Sequence, residues 1–176
     1  MKRETRLYNL FFPLWFVILY SPLHWLWLLP ANFIVDLLVL VIAMRVLHAD
    51  DIKVKAKKSI VKVWLFGFLA DILGGAVLFF SELFSSELIS KLASESLWLW
   101  WNANMQNAMY DPLQSVSAFL SVLLCVAVTG ALIYLFNAKI ALKKAVTDPA
   151  ERRKLAIALA VFTAPYTFLI PTPMVG

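Results

Sequence analysis

Residues 60–83 read IVKVWLFGFLADILGGAVLFFSEL, with Asp71 near the middle of an otherwise apolar run. An α-helix of that length reaches about 36 Å, and a bilayer hydrocarbon core is about 30 Å thick. The run therefore reads as a membrane-spanning helix. Four further segments have the same character: Leu7–Leu29, Ala31–Leu47, Leu113–Asn137 and Leu155–Thr172. Composition agrees with this reading. Of 176 residues, 62% are hydrophobic and only 15% charged, where soluble domains carry about 25% charged residues. Mean hydropathy is +0.80. A soluble fold of this size leaves too much surface exposed to hide so many apolar side chains. The expected fold is one domain, residues 1–176: an all-α polytopic bundle of five spans, N-terminus inside and C-terminus outside.

The sparse charge orients the bundle. With an inside N-terminus, Lys2, Arg3, Arg6, Arg45, Lys53, Lys55, Lys57, Lys58, Lys62, Lys139, Lys143, Lys144, Arg152, Arg153 and Lys154 gather on the cytoplasmic side. Only Lys91 of the 16 basic residues falls outside. Basic residues concentrate in short cytoplasmic loops, where anionic lipid attracts them. The basic pI near 9.4 is thus assigned to an anionic inner leaflet and not to nucleic acid. Trp25, Trp27, Trp98, Trp100, Trp101 and Tyr110 collect at the opposite boundary, where amphipathic rings favour the interface. Residues 86–101 carry Glu87, Lys91 and Glu95 opposite Leu88 and Leu92, the pattern of an amphipathic helix lying in the outer interface. No small-x-small cleavage site follows Leu7–Leu29, so this segment reads as an uncleaved first span. The setting expected is a bacterial-type cytoplasmic membrane.

Ionisable and polar groups inside the spans are the candidates for function, because an Asp at a helix centre costs about 2.5–3.5 kcal/mol to insert. Gly67, Asp71 and Gly74 share one helical face, which lets a neighbouring backbone approach Asp71 closely. Ser117, Ser121, Cys125 and Thr129 recur every four residues along Leu113–Asn137, with Asn137 two turns further on. They make a small, polar stripe that Asp71 is expected to face near Ser121 and Cys125. This stripe reads either as one wall of a polar site or as a close-packed helix seam. His24 and Asp36 flank Pro30 symmetrically. A tight turn at Pro30-Ala31-Asn32 would place both about 9 Å below the outer surface, within reach of a hydrogen bond. Asp71 would lie deeper, about 18 Å below the outer end of its span. Thr147-Asp148-Pro149 reads as a helix start, with Thr147 or Asp148 as cap and Pro149 at the first helical position.

Absences narrow the function. The lone Cys125 provides neither a disulfide framework nor a thiolate cluster, and two histidines are few for a metal site. No metal and no cofactor is expected. HExxH, GxSxG, GxGD and P-loop motifs do not occur, and the loops are too short for a soluble catalytic domain. Residues 67–75, Gly-x-x-x-Asp-x-x-Gly-Gly, resemble a stretch in the substrate-binding S subunits of energy-coupling-factor vitamin transporters. That resemblance implies a ligand-binding membrane subunit that works with a partner. It is confined to those residues. Such subunits usually have six helices and an alanine-rich first helix, whereas Leu7–Leu29 has no alanine. Three functions follow in order of expectation. The first is transport or ligand binding at a polar intramembrane site around Asp71, Ser121, Cys125, Thr129, Asp36 and His24. The second is an accessory or structural subunit that binds a partner membrane protein. The third is a lipid-modifying enzyme.

Overall fold

The computed structural model describes residues 22–171, with side chains from residue 26 onward. The described residues are helical throughout, without strands: α1 (Pro22–Val46), α2 (Ile52–Leu92), α3 (Glu95–Asn104), α4 (Val116–Phe136) and α5 (Pro149–Phe162). A π-helical turn, Asn137–Ala141, extends α4, and a short 3-10 turn, Tyr166–Leu169, follows α5. Three helices are long and apolar enough to cross a membrane: α1 from Leu26, α2, and α4 with its π extension. Fewer than a third of the residues in their most apolar stretches are buried within the chain. Leu26, Trp27, Val46, Phe84 and Leu124 all point outward, as side chains bathed in lipid do.

The expected turn at Pro30 does not occur. Pro30 lies inside the continuous helix α1, so the boundary between Leu7–Leu29 and Ala31–Leu47 is not a chain reversal. Proline removes one backbone donor and frees the carbonyl four residues earlier. Membrane helices tolerate that loss where the freed backbone groups find other partners. The reversal comes at Leu47–Asp51 instead. His48 adopts a left-handed conformation (φ 53°), its N–H donates to the Arg45 carbonyl, and the Ala49 N–H donates to Met44. This is a Schellman closure, in which a left-handed residue lets the chain satisfy carbonyls of the last turn. Asp51, also left-handed (φ 51°), then opens α2.

At 41 residues, α2 is about 60 Å long, twice a hydrocarbon core. It carries on past Leu83 to Leu92, because nothing between Phe84 and Lys91 breaks a helix. Glu87 and Lys91, read as part of an interfacial helix, therefore sit on the C-terminal end of α2 as an exposed pair at 2.6 Å. The separate helix α3 starts only at Ser94, whose hydroxyl accepts the Leu97 N–H.

The last apolar segment also departs from expectation. As expected, Asp148 caps α5, its carboxylate accepting the Ala150 and Glu151 N–H groups. Those bonds, Glu151 first, hold the Asp148 carboxyl below its ordinary value. The helix stops at Phe162 after 14 residues, about 21 Å and short of a hydrocarbon core. Pro165 explains the stop: it offers no N–H to the Val161 carbonyl. That carbonyl accepts the Tyr166 hydroxyl instead (2.6 Å), and Thr163 Oγ1 donates to Leu159. Residues 155–171 are thus a short helix and a turn, not one continuous helix. Of the expected first span, residues 7–21 lie outside the described part.

The helices pack as a ring, with α1 on α2, α2 on α4, α4 on α5 and α5 on α1. Lys55 at the start of α2 bridges to both carboxylate oxygens of Glu151 at the start of α5 (2.9 and 3.1 Å). The basic segments 48–59 and 138–154 therefore occupy one end of the bundle. Leu40, Met44, Val63, Ile133, Leu142, Leu155 and Leu159 form the core of the basic half. Leu78, Met109, Ala118, Val122, Val126 and Phe168 form the core of the other half.

Candidate functional site

Asp36 belongs to the inward stripe of α1. Asp36, Leu40 and Met44 recur at i, i+4 and i+8 and are all buried, Asp36 to 2% exposure. Its Oδ2 points at α2 beside Gly67, where an added Cβ would lie 3.5 Å away. One turn along α2 from Gly67 stands Asp71, half-buried. The structure thus joins two acids that the sequence reading had set at different depths. A continuous α1, running antiparallel to α2, carries Asp36 down to the level of Gly67. Asp36 Oδ2 and Asp71 Oδ1 are both sealed and have no hydrogen-bond partner among the described residues.

A third buried polar group stands at this level. Phe66 of α2 packs on Phe136 of α4 with ring centroids 5.5 Å apart. Asn137, next after Phe136, is therefore level with Gly67. It is fully buried. Its Nδ2 donates to the Ile133 carbonyl (2.9 Å), and its Oδ1 has no partner among the described residues. Burying an amide or carboxyl oxygen without a donor costs about 1–3 kcal/mol. Three such oxygens on three helices are therefore a feature requiring explanation.

The polar stripe of α4 is divided between two roles. Cys125 and Thr129 form a packed seam with Gly74. Cys125 Sγ donates to the Gly74 carbonyl (3.2 Å), and Thr129 Oγ1 donates within α4 to the Cys125 carbonyl (2.9 Å). A Cβ on Gly74 would overlap Thr129 Oγ1, so only glycine allows this approach. Asp71 does not face Ser121 and Cys125 as expected. It lies one turn toward the basic end from Gly74, while Ser121 lies one turn from Cys125 in the opposite direction. Ser121 Oγ donates to the Ala118 carbonyl in its own helix. His24 and Asp36 are twelve residues apart on the single helix α1, about 18 Å along its axis. That spacing rules out the contact expected across a hairpin; the His24 side chain lies outside the described part.

Glu82 was missed. It is half-buried in the C-terminal third of α2 and accepts the Met109 N–H (3.1 Å), fastening the segment 105–114 over the bundle. The same segment is held from behind by Asn104, whose carbonyl accepts Ser115 Oγ (2.6 Å) and Gln114 Nε2. Burial, and then the charge of nearby Glu82, pushes the Tyr110 phenol up. The signal was legible: Glu82 is an acid inside the apolar run 60–83. A lateral groove of about 380 Å³ between α4 and α5 is apolar, lined by Leu123, Ala127, Gly130, Ile157 and Ala160 with two tyrosines. Among the described residues no group of three or more His, Cys, Asp or Glu side chains forms a metal centre. Comparison with protein-family models, with characterised proteins and with solved structures finds no match.

Proposed function

We propose that the chain is a multi-pass protein of a bacterial-type cytoplasmic membrane, with its basic end in the cytoplasm, that transports or binds a small molecule or ion at the Asp36–Asp71 site. One observation carries this reading. Two carboxyls on adjacent helices, Asp36 beside Gly67 and Asp71 one turn further along α2, have oxygens that are sealed and unpartnered among the described residues. Intramembrane acids are expensive to insert and mark pathways or ligand sites. The short α5, ending at a proline turn, and the tied segment 105–114 leave irregular backbone at the outer half, where a route to the site would open. The helix α3, with Trp98, Trp100 and Trp101, would lie in the outer interface. The helices α1, α2 and α4 would make the crossings.

The purified chain in liposomes, with trapped indicators for protons, sodium and potassium, provides the test, alongside thermal shifts against small molecules. A flux or a ligand-induced shift is expected, and Asp71→Asn should abolish it while the unliganded melting temperature stays within about 2 °C, the effect of roughly 0.5 kcal/mol in a domain of this size. The Gly74–Thr129 seam favours a second reading, an accessory subunit whose polar groups only knit helices. That reading requires no flux, a lowered melting temperature for Asp71→Asn, and co-purification of a partner membrane protein.

A further inference from the structure

We infer that the species held between Asp36 and Asp71 is a single exchangeable proton, shared by the two carboxyls. The inference rests on the proposed site and specifies what the site takes. Asp36 is 2% exposed, and its unpartnered Oδ2 is aimed across the α1–α2 contact at the face of Gly67 and Asp71. Two carboxylates cannot both stay ionised at close range in apolar surroundings without a counter-charge.

No buried counter-charge is at hand among the described residues. On α1 the nearest basic group is Arg45, about 14 Å toward the basic end. On α2, Lys62 is about 8 Å along the axis from Gly67, where Asp36 Oδ2 points, and is exposed; Glu82 is about 16 Å from Asp71 on the other side. From α4 the titratable groups are Cys125, engaged with Gly74, and Tyr134, with Lys139 exposed on its π extension; from α5 they are Glu151, Arg152, Arg153 and Lys154, at the basic end. A divalent cation takes about six or more oxygen ligands. Asp36, Asp71 and the Asn137 carbonyl fall short of that, since helical carbonyls nearby are committed to backbone bonds.

One proton resolves the arrangement. Bound to one carboxyl as O–H, it donates to an oxygen of the other, so both unpartnered oxygens gain a partner and the pair keeps one negative charge. Release returns the proton to water and leaves two facing carboxylates. That charged state repels, and it drives α1 and α2 apart at Gly67. Asp71, the half-buried member, is the point of exchange, and Asp36 is the sealed acceptor.

Infrared spectroscopy of the purified full-length chain in detergent, in H2O and D2O, counts protonated carboxyls directly. A Glu82→Gln background removes the other membrane-region acid. At neutral pH one carboxylic-acid C=O band per chain is expected. It should shift in D2O and disappear as pH rises. Asp71→Asn should move the remaining band to a new frequency, because Asp36 then loses its sharing partner. Two acid bands per chain would overturn the inference, since each carboxyl would then hold its own proton. No acid band would overturn it too, and a carboxylate band that shifts with added sodium chloride would assign the site to a metal cation. These outcomes are independent of transport. One acid band in a chain with no flux or ligand response would leave the shared proton standing and remove the transport function.

Discussion

Asp36 and Gly74 show how single residues shape this bundle. Asp36 occupies a place in α1 that a leucine would fill, between buried neighbours at i+4 and i+8. Gly74 does the reverse and contributes by having no side chain. The two glycines beside Asp71 make a sharp contrast. A methyl at Gly67 would meet Asp36 Oδ2 at 3.5 Å, an ordinary contact, whereas one at Gly74 would overlap Thr129. Overpacked interiors lose about 1–3 kcal/mol. Gly74→Ala should therefore destabilise by about 2 kcal/mol or more and Gly67→Ala by less than about 1 kcal/mol, measured by denaturation in detergent micelles. Equal losses would contradict the seam. The small-residue face of α2 was legible in the spacing of Gly67, Asp71 and Gly74. Its division was not: one glycine meets α1 and the other α4, and only the three-dimensional register separates them.

At the scale of elements, α1 and α5 mark where legibility ends. The apolar character of α1 extends around the whole helix. No hydrophobic stripe therefore signals which side is inward, and Asp36 could not be assigned a face. Pro30 reads as a turn by the rules of soluble helices, but a membrane helix continues through a proline when the freed backbone groups are satisfied in other ways. The helix cap of α5 was legible because Asp148 and Pro149 act locally. Its early end was not, since it depends on Tyr166 reaching back to the Val161 carbonyl. The true reversal, at His48, lacks the glycine that usually marks such a closure. This predicts that His48→Gly stabilises, because left-handed backbone costs a residue with a side chain about 1 kcal/mol. A rise in melting temperature is expected; a fall would show that the histidine side chain contributes more than its backbone strain.

At the scale of the molecule, charge placement was the most legible property and helix count the least. The basic segments 48–59 and 138–154, separate in sequence, share one end of the bundle and are joined there by Lys55 and Glu151. Membrane-impermeant thiol reagents test the orientation. In a Cys125→Ser background, a cysteine at Lys57 or Lys144 should label only in broken cells, and one at Asn107 in intact cells. The opposite pattern would invert the proposed topology. The central claim is that α1 and α2 bring Asp36 and Asp71 into one site. A double-mutant cycle of Asp36→Asn and Asp71→Asn, read as unfolding free energy in detergent with His24→Ala and Asp36→Asn as the comparison pair, tests it most directly. Contacting residues couple by about 0.5–3 kcal/mol, and distant ones add. The two aspartates should couple by at least about 0.5 kcal/mol while His24 and Asp36 add; additive aspartates, or a coupled His24–Asp36 pair, would contradict this architecture.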